Sequence, residues 1–252
     1  LKKKIKKEDT WISFVIKGIC FLIYPPRCPI CHGILKKGEG LAHEECKKKL
    51  VYVKEPRCFQ CGKPVMAKEI EFCYDCSQKK HVYTKGLSVF LYNSVMKKSI
   101  YEFKYNNKRE YGDFYAQEIV RELGEHIKRW KVEAIIPVPL HKSRRKRRGF
   151  NQAELVANKV GQRLGIPVEA SLVARTKKTL PQKQLNDKER QNNLKKAFKM
   201  MRNDVKLSTA IILDDIYTTG STVDEVAAVL RAAGVEKVYV ICIAIGKGID
   251  GS

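Results

Sequence analysis

The 252 residues include 44% hydrophobic and 31% charged side chains, with 50 Lys+Arg against 27 Asp+Glu, a formal charge of +23, and nine cysteines. This apolar fraction builds a real core and excludes disordered and fibrous classes, while no apolar run approaches the ~20 residues that span a bilayer. Residues 1–85 hold 19 basic and 9 acidic side chains, the remainder 31 and 18. Both halves are therefore basic and favour polyanionic partners, nucleic acid or phosphorylated metabolites, although a lysine-rich solvated surface would give the same count.

In chain order, the basic residues 1–7 followed by the apolar stretch 11–24 imitate a secretory signal. Lys17 interrupts that stretch, and no small-residue cleavage site precedes the cysteines. Residues 11–23 are expected to form a short amphipathic helix packed on the body of the protein, within an N-terminal segment 1–24; peripheral membrane contact is the alternative, and no stable insertion is expected.

Residues 25–80 hold eight candidate metal ligands: Cys28, Cys31, His43, Cys46, Cys58, Cys61, Cys73 and Cys76. Each pair is separated by two residues, and each next pair begins twelve residues on, so a thirty-residue unit is written twice, PPRCPICHG echoed by EPRCFQCGK. Two such knuckles complete a tetrahedral zinc site, and here there are knuckles for two structural Zn2+ ions. The repeat favours sequential over interleaved pairing of knuckles. A disulfide framework and an iron–sulfur cluster are the competing uses. With no signal peptide, and with Cys20 and Cys242 left over inside apolar segments, reduced thiols in the cytoplasm are expected instead. Units this short bury little, so metal supplies their folding energy, and chelation is expected to unfold them while residues 81–252 stand.

Beyond residue 80 the pattern alternates: strand 87–92, helix 111–130, strand 134–138, helix 152–164, strand 210–213, helix 223–233 and strand 238–245. Apolar strands separated by helices predict an α/β domain, a doubly wound parallel sheet covered on both faces, with ligands beyond the carboxyl ends of the strands.

The strand at 210–213 is expected to end in Asp214 and Asp215, followed by Thr218, Thr219, Gly220, Ser221 and Thr222 and then a helix. Amides and hydroxyls at a helix start make an anion cradle, and adjacent carboxylates accept hydrogen bonds from a vicinal diol. A sugar phosphate satisfies both. The stretch resembles the 5-phosphoribosyl-1-pyrophosphate (PRPP) motif of type I phosphoribosyltransferases. The resemblance implies that Asp214 and Asp215 engage the ribose hydroxyls, with Mg2+ accompanying PRPP, and that residues 218–222 hold the 5-phosphate.

Upstream, Pro139, Leu140 and His141 lead into a run containing Arg144 and Arg148, next to Gly149. Its position matches the pyrophosphate loop of those enzymes, and its charge suits either a pyrophosphate with Mg2+ or a nucleic-acid backbone. Residues 174–200, with Thr179, Gln182 and Arg190, are too long and polar for a simple connection and match the enzymes' flexible hood.

The double ribbon, RGFNQAE, the T-x-P-Q-x-x-L segment and DD-x-x-TTGST together resemble the competence protein F family across residues 20–245, with His43 where that family usually has Cys. The resemblance implies a phosphoribosyltransferase-like domain linked to DNA uptake in natural transformation, with single-stranded DNA and a helicase or recombination mediator as partners. Lys104 falls in an FKY-like segment of that family. The neighbouring Tyr101, Phe103 and Tyr105 could stack bases, but a core role is favoured.

Transfer of a phosphoribosyl group would rest on positioning, Mg2+ and hood closure. Where 6-oxopurine salvage enzymes place an Asp base, this chain has Thr218, a hydroxyl that takes no proton near neutral pH. That disfavours hypoxanthine or guanine as the acceptor. A non-catalytic adaptor, with a PRPP-sensing or degenerate transferase fold, is the rival expectation.

Overall fold

The computed structural model describes residues 24–177, 197–202 and 206–247. The expected helix at 11–23, Cys20, and the hood residues Thr179, Gln182 and Arg190 lie outside them.

The thirty-residue repeat is a structural repeat. Antiparallel bridges join Arg27 to Ile34 and Arg57 to Pro64, and short helices α1 (Glu44–Lys47) and α2 (Tyr74–Gln78) follow at equivalent places. In the first knuckle of each unit the first cysteine's amide closes the turn, Cys28 onto the Gly33 carbonyl at 2.9 Å and Cys58 onto that of Lys63 at 2.7 Å.

Strand β1 (Lys85–Leu91) opens the α/β part. It is followed by α3 (Ser94–Tyr105), which Asn93 caps by accepting from the Met96 amide, and by α4 (Tyr111–Arg129). Next come β2 (Ala134–Pro137), α5 (Lys142–Arg148), α6 (Gln152–Leu164) and an antiparallel pair, β3 (Val173–Arg175) with β4 (Phe198–Met200). The chain continues through β5 (Thr209–Tyr217), α7 (Ser221–Ala232) and β6 (Lys237–Ile245). The main sheet runs β1-β6-β5-β2, all neighbours parallel, as the apolar strand pattern predicts.

Because side chains alternate along a strand, the sheet divides the core in two. Ile211, Leu213, Ile241 and Ile243 pack with α3, α4 and α6; Ile212, Val240 and Cys242 pack with α7 and β4. The ribbons join these clusters. Cys28, Ile30, Leu35 and Cys46 belong to the first, and Cys58, Cys61 and Cys73 to the second. The knuckle at Cys58 and Cys61 also abuts β1 through facing glycines: Gly62 has φ 75°, and a Cβ there would lie 2.6 Å from the Gly86 carbonyl oxygen. Among the described residues no helix is long and apolar enough to cross a membrane.

Three sequence-level expectations need correction. Strand β5 does not stop at the carboxylates but runs on to Tyr217, because β6 continues alongside it, with Asp214 opposite Cys242 and Tyr217 opposite Ile245. The basic run is a helix rather than a loop. His141 accepts from the Ser143 amide at its start, Gly149 ends it at φ 77°, and arginine and lysine are good helix formers. Of the three aromatics favoured for the core, only Phe103 is buried; Tyr101 and Tyr105, one turn apart on the opposite face of α3, are 50% and 46% exposed.

Candidate functional site

The two metal half-sites assemble sequentially, Cys28, Cys31, His43 and Cys46 in one and Cys58, Cys61, Cys73 and Cys76 in the other, each with its ligand atoms within 4.8 Å of one another. Tetrahedral zinc with Zn–S bonds of ~2.3 Å separates its thiolates by about 3.8 Å. The spacings here fit: Cys61 Sγ lies 3.6 Å from Cys73 Sγ, and Cys31 and Cys46 Sγ lie 3.3 and 3.9 Å from His43 Nδ1. His43 Nε2 sits 3.2 Å from the Ile34 carbonyl oxygen, so it donates there and leaves Nδ1 for the metal. Four protein ligands leave no position for water, and both are structural zinc sites. None of the eight described cysteines is in a disulfide.

The second site is a cleft of about 270 Å³ at the carboxyl ends of β2 and β5. It unites segments distant in sequence: Asp214, Asp215, Thr218 and Thr222 from β5 and the turn beyond it, Val138 and Leu140 after β2, Arg144, Arg147 and Arg148 from α5, Asn151 and Gln152 at the start of α6, Arg175 from β3, and Tyr92, Lys104 and Tyr105. The expected phosphate residues divide in two. Thr218 and Thr222 line the cleft. Thr219 and Ser221 bond to each other behind it (Oγ1···Oγ 2.9 Å), and Gly220 caps α7 in the left-handed region at φ 75°. Of the expected pyrophosphate residues, Leu140, Arg144 and Arg148 line the cleft, whereas Pro139 only leads into the turn and His141 is spent as the cap of α5.

The carboxylates are electrostatically unlike. Burial, and then Asp215, raise the Asp214 carboxyl to about 7. Asp214 Oδ1 also accepts from the Asp215 amide at 2.8 Å. Asp215 pairs with Lys104, Nζ to Oδ2 2.6 Å, both side chains 16% exposed. Opposite stands a basic wall. Arg148 donates to Gln152 at 2.9 Å and to the Tyr105 hydroxyl at 3.1 Å while lying 4.8 Å over the Tyr105 ring. Arg175, 9% exposed, lies 5.4 Å over Phe198; burial, and then Arg144, push it down to about 10. One wall accepts hydrogen bonds and the other neutralises anions, which suits a ligand carrying hydroxyls and phosphates.

Lys104, Tyr92, Arg147 and Arg175 were not among the sequence-derived site residues. Lys104 carried a signal in the FKY-like segment, and Arg147 carried one in the basic run 142–148 whose charge suits a pyrophosphate. Arg175 stands at the root of the expected hood.

A parallel-sheet α/β domain with a carboxylate pair and hydroxyl turn at its strand ends, preceded by two zinc half-sites, defines a phosphoribosyltransferase-like domain joined to a double zinc ribbon. Family models agree: residues 19–77 match one described as double zinc ribbon domain, and 146–250 one described as phosphoribosyl transferase domain. The chain is 32% identical over 219 residues to competence protein F of Haemophilus influenzae, covering 85% of this chain and 94% of that protein. It is 29% identical over 226 residues to DNA utilization protein YhgH of Escherichia coli K12 (88% and 98% covered) and 27% identical over 208 residues to competence protein ComFC of Bacillus subtilis (80% and 82%). The chain belongs to the competence protein F family.

Proposed function

We propose that this chain binds PRPP with Mg2+ in the cleft at the ends of β2 and β5 and acts in the handling of DNA taken up for use or transformation. The observation that carries this reading is the convergence of Asp214, Asp215, Thr218 and Thr222 with Arg144, Arg148 and Arg175 in one cleft. In this reading the turn at 218–222 holds the 5-phosphate through amides and hydroxyls, and the two carboxylates accept from the ribose diol. The arginines of α5 neutralise the pyrophosphate. The paired carboxylates, already drawing the Lys104 ammonium, are hard oxygen donors that suit Mg2+; the ion would neutralise pyrophosphate charge. Thr218 supplies no base, so a transferred phosphoribosyl group would need an acceptor that loses its proton without help at that position.

The names of the relatives, competence and DNA utilization, support DNA as the wider context. Tyr101 and Tyr105, with ring centroids 4.9 Å apart and half exposed beside the basic α5, offer a stacking platform for single-stranded DNA at the mouth of the cleft.

Calorimetric titration of the zinc-loaded chain with PRPP and Mg2+, beside the Asp214→Asn, Asp215→Asn double variant, tests the reading. It predicts binding that the double variant loses. Equal binding by both proteins, or none by the native chain, would refute it. Pyrophosphate release by the PRPP complex, with and without single-stranded DNA, then separates a transferase from a sensor.

A further inference from the structure

The turn that opens α7 rests on a surface supplied by the arm leaving the second zinc half-site. Gly220 has no room for a side chain, since a Cβ there would lie 2.4 Å from the Tyr217 hydroxyl and 2.8 Å from Cε1 of His81. His81 follows Cys76 by five residues, and its side chain is 1% exposed. Asp224, in the first turn of α7, fixes it: His81 Nδ1 lies 2.8 Å from Asp224 Oδ2. The same carboxylate accepts from Lys79 Nζ at 2.6 Å and from the Val82 amide at 3.1 Å. The Asp224 amide donates to the Gly220 carbonyl at 2.8 Å, the first bond of α7, so the carboxylate that gathers the arm sits one turn from the glycine. On its other side His81 Nε2 lies 3.4 Å from the Tyr217 hydroxyl.

Three donors from residues 79–82 thus converge on one buried carboxylate that directly follows the hydroxyl turn. Charge-assisted bonds to a buried carboxylate are strong and geometrically exacting. None of these residues lines the cleft. Their contacts run to the underside of the turn, and the first half-site packs on the opposite face of the sheet with α3, α4 and α6.

We propose that residues 79–82 and Asp224 form a latch by which the arm of the second zinc ribbon holds the turn at 218–222 in the shape that accepts a phosphate, with His81 and Asp224 as positioning residues. The ligand half of this inference rests on the function proposed above. A turn that must be ordered on binding surrenders affinity to its own entropy, and a turn held in advance does not. Coupling between separate sites is worth roughly 5–150-fold in affinity, the loss expected when the latch is cut.

The test uses the full zinc-loaded chain with Asp224→Asn, His81→Ala and His81→Gln variants. Hydrogen–deuterium exchange across 217–225 is followed without ligand, calorimetry measures affinity for ribose 5-phosphate and for PRPP with Mg2+, and zinc content and Tm are recorded. Asp224→Asn and His81→Ala should speed exchange in the turn more than in β5 and β6 and weaken phosphate binding roughly 5–150-fold with both zinc ions retained. His81→Gln, which keeps an N–H for Asp224, should recover most of both. Unchanged exchange in the turn would overturn the latch, as would loosening spread equally over the sheet that glutamine does not rescue. If the native chain binds neither ligand, the proposed function fails, and the exchange comparison still decides the latch.

Discussion

Asp214 gives the sharpest handle on the cleft. Its carboxyl is raised from 3.8 to about 7, chiefly by burial and then by Asp215. Between those values the folded chain retains a proton that the unfolded chain has released. Stability therefore falls as pH rises through this window, and the full penalty is present above the folded value. At ~1.36 kcal/mol per pKa unit the penalty is about 2 kcal/mol near pH 5.5 and about 4 kcal/mol near pH 8.5. Asparagine removes the charge and keeps an oxygen for the Asp215 amide, which Asp214 Oδ1 receives at 2.8 Å. Urea denaturation of native and Asp214→Asn proteins, at constant ionic strength and with zinc content checked at each pH, should show the variant more stable. Its advantage should widen by about 2 kcal/mol from about pH 5.5 to about pH 8.5. A difference independent of pH, or a variant less stable than native at the alkaline end, would refute the reasoning. Such a penalty, held in place by the fold, is characteristic of a binding site that trades stability for function.

Other substitutions probe the surroundings of the carboxylates. Lys104→Met leaves Asp215 without its 2.6 Å partner and should cost about 2–3 kcal/mol near neutral pH in thermal or urea unfolding. Gly220→Ala must both adopt φ 75° and displace the Tyr217 hydroxyl, so it should destabilise by more than about 1 kcal/mol and weaken phosphate binding, read by denaturation and calorimetry. Against the expectation from the sequence that residues 81–252 stand alone, chelation of both zinc ions should lower the stability of the whole described body in one transition by circular dichroism, because ribbon cysteines are built into both core clusters. A ribbon that melts alone would instead show that residues 81–252 fold without it. Tyr105→Ala should weaken single-stranded DNA binding by about 1–3 kcal/mol in fluorescence titrations, with little change for duplex.

Contiguous features were legible in the sequence. The knuckle repeat is local, and its ligands come together by the shortest route, Cys28 to Cys46 and Cys58 to Cys76. The buried strands announce themselves by apolar runs, and the carboxylates and hydroxyl turn lie within one short stretch. What escaped was brought together by topology. Lys104 meets Asp215 because β1 and β5 both pair with β6, which lets α3 reach the end of β5. Arg175 reaches the cleft through a strand pair too short to show periodicity. The arm at 79–82 reads as an ordinary polar link until Asp224 gathers its donors. Charge misled the reading of residues 142–148, where caps at His141 and Gly149 decide for helix. Tyr101 and Tyr105 were favoured for the core as aromatics, while their one-turn spacing sets them together on the outer face of α3.

If one cleft holds a phosphoribosyl ligand by its two chemically distinct ends, a crystal structure of the zinc-loaded chain with PRPP and Mg2+ will show both. The 5-phosphate should lie on the turn at 218–222, the ribose hydroxyls on Asp214 and Asp215, and the pyrophosphate toward Arg144 and Arg148. PRPP bound away from the carboxylates, or held only by the basic face of α5 with the turn empty, would contradict this arrangement.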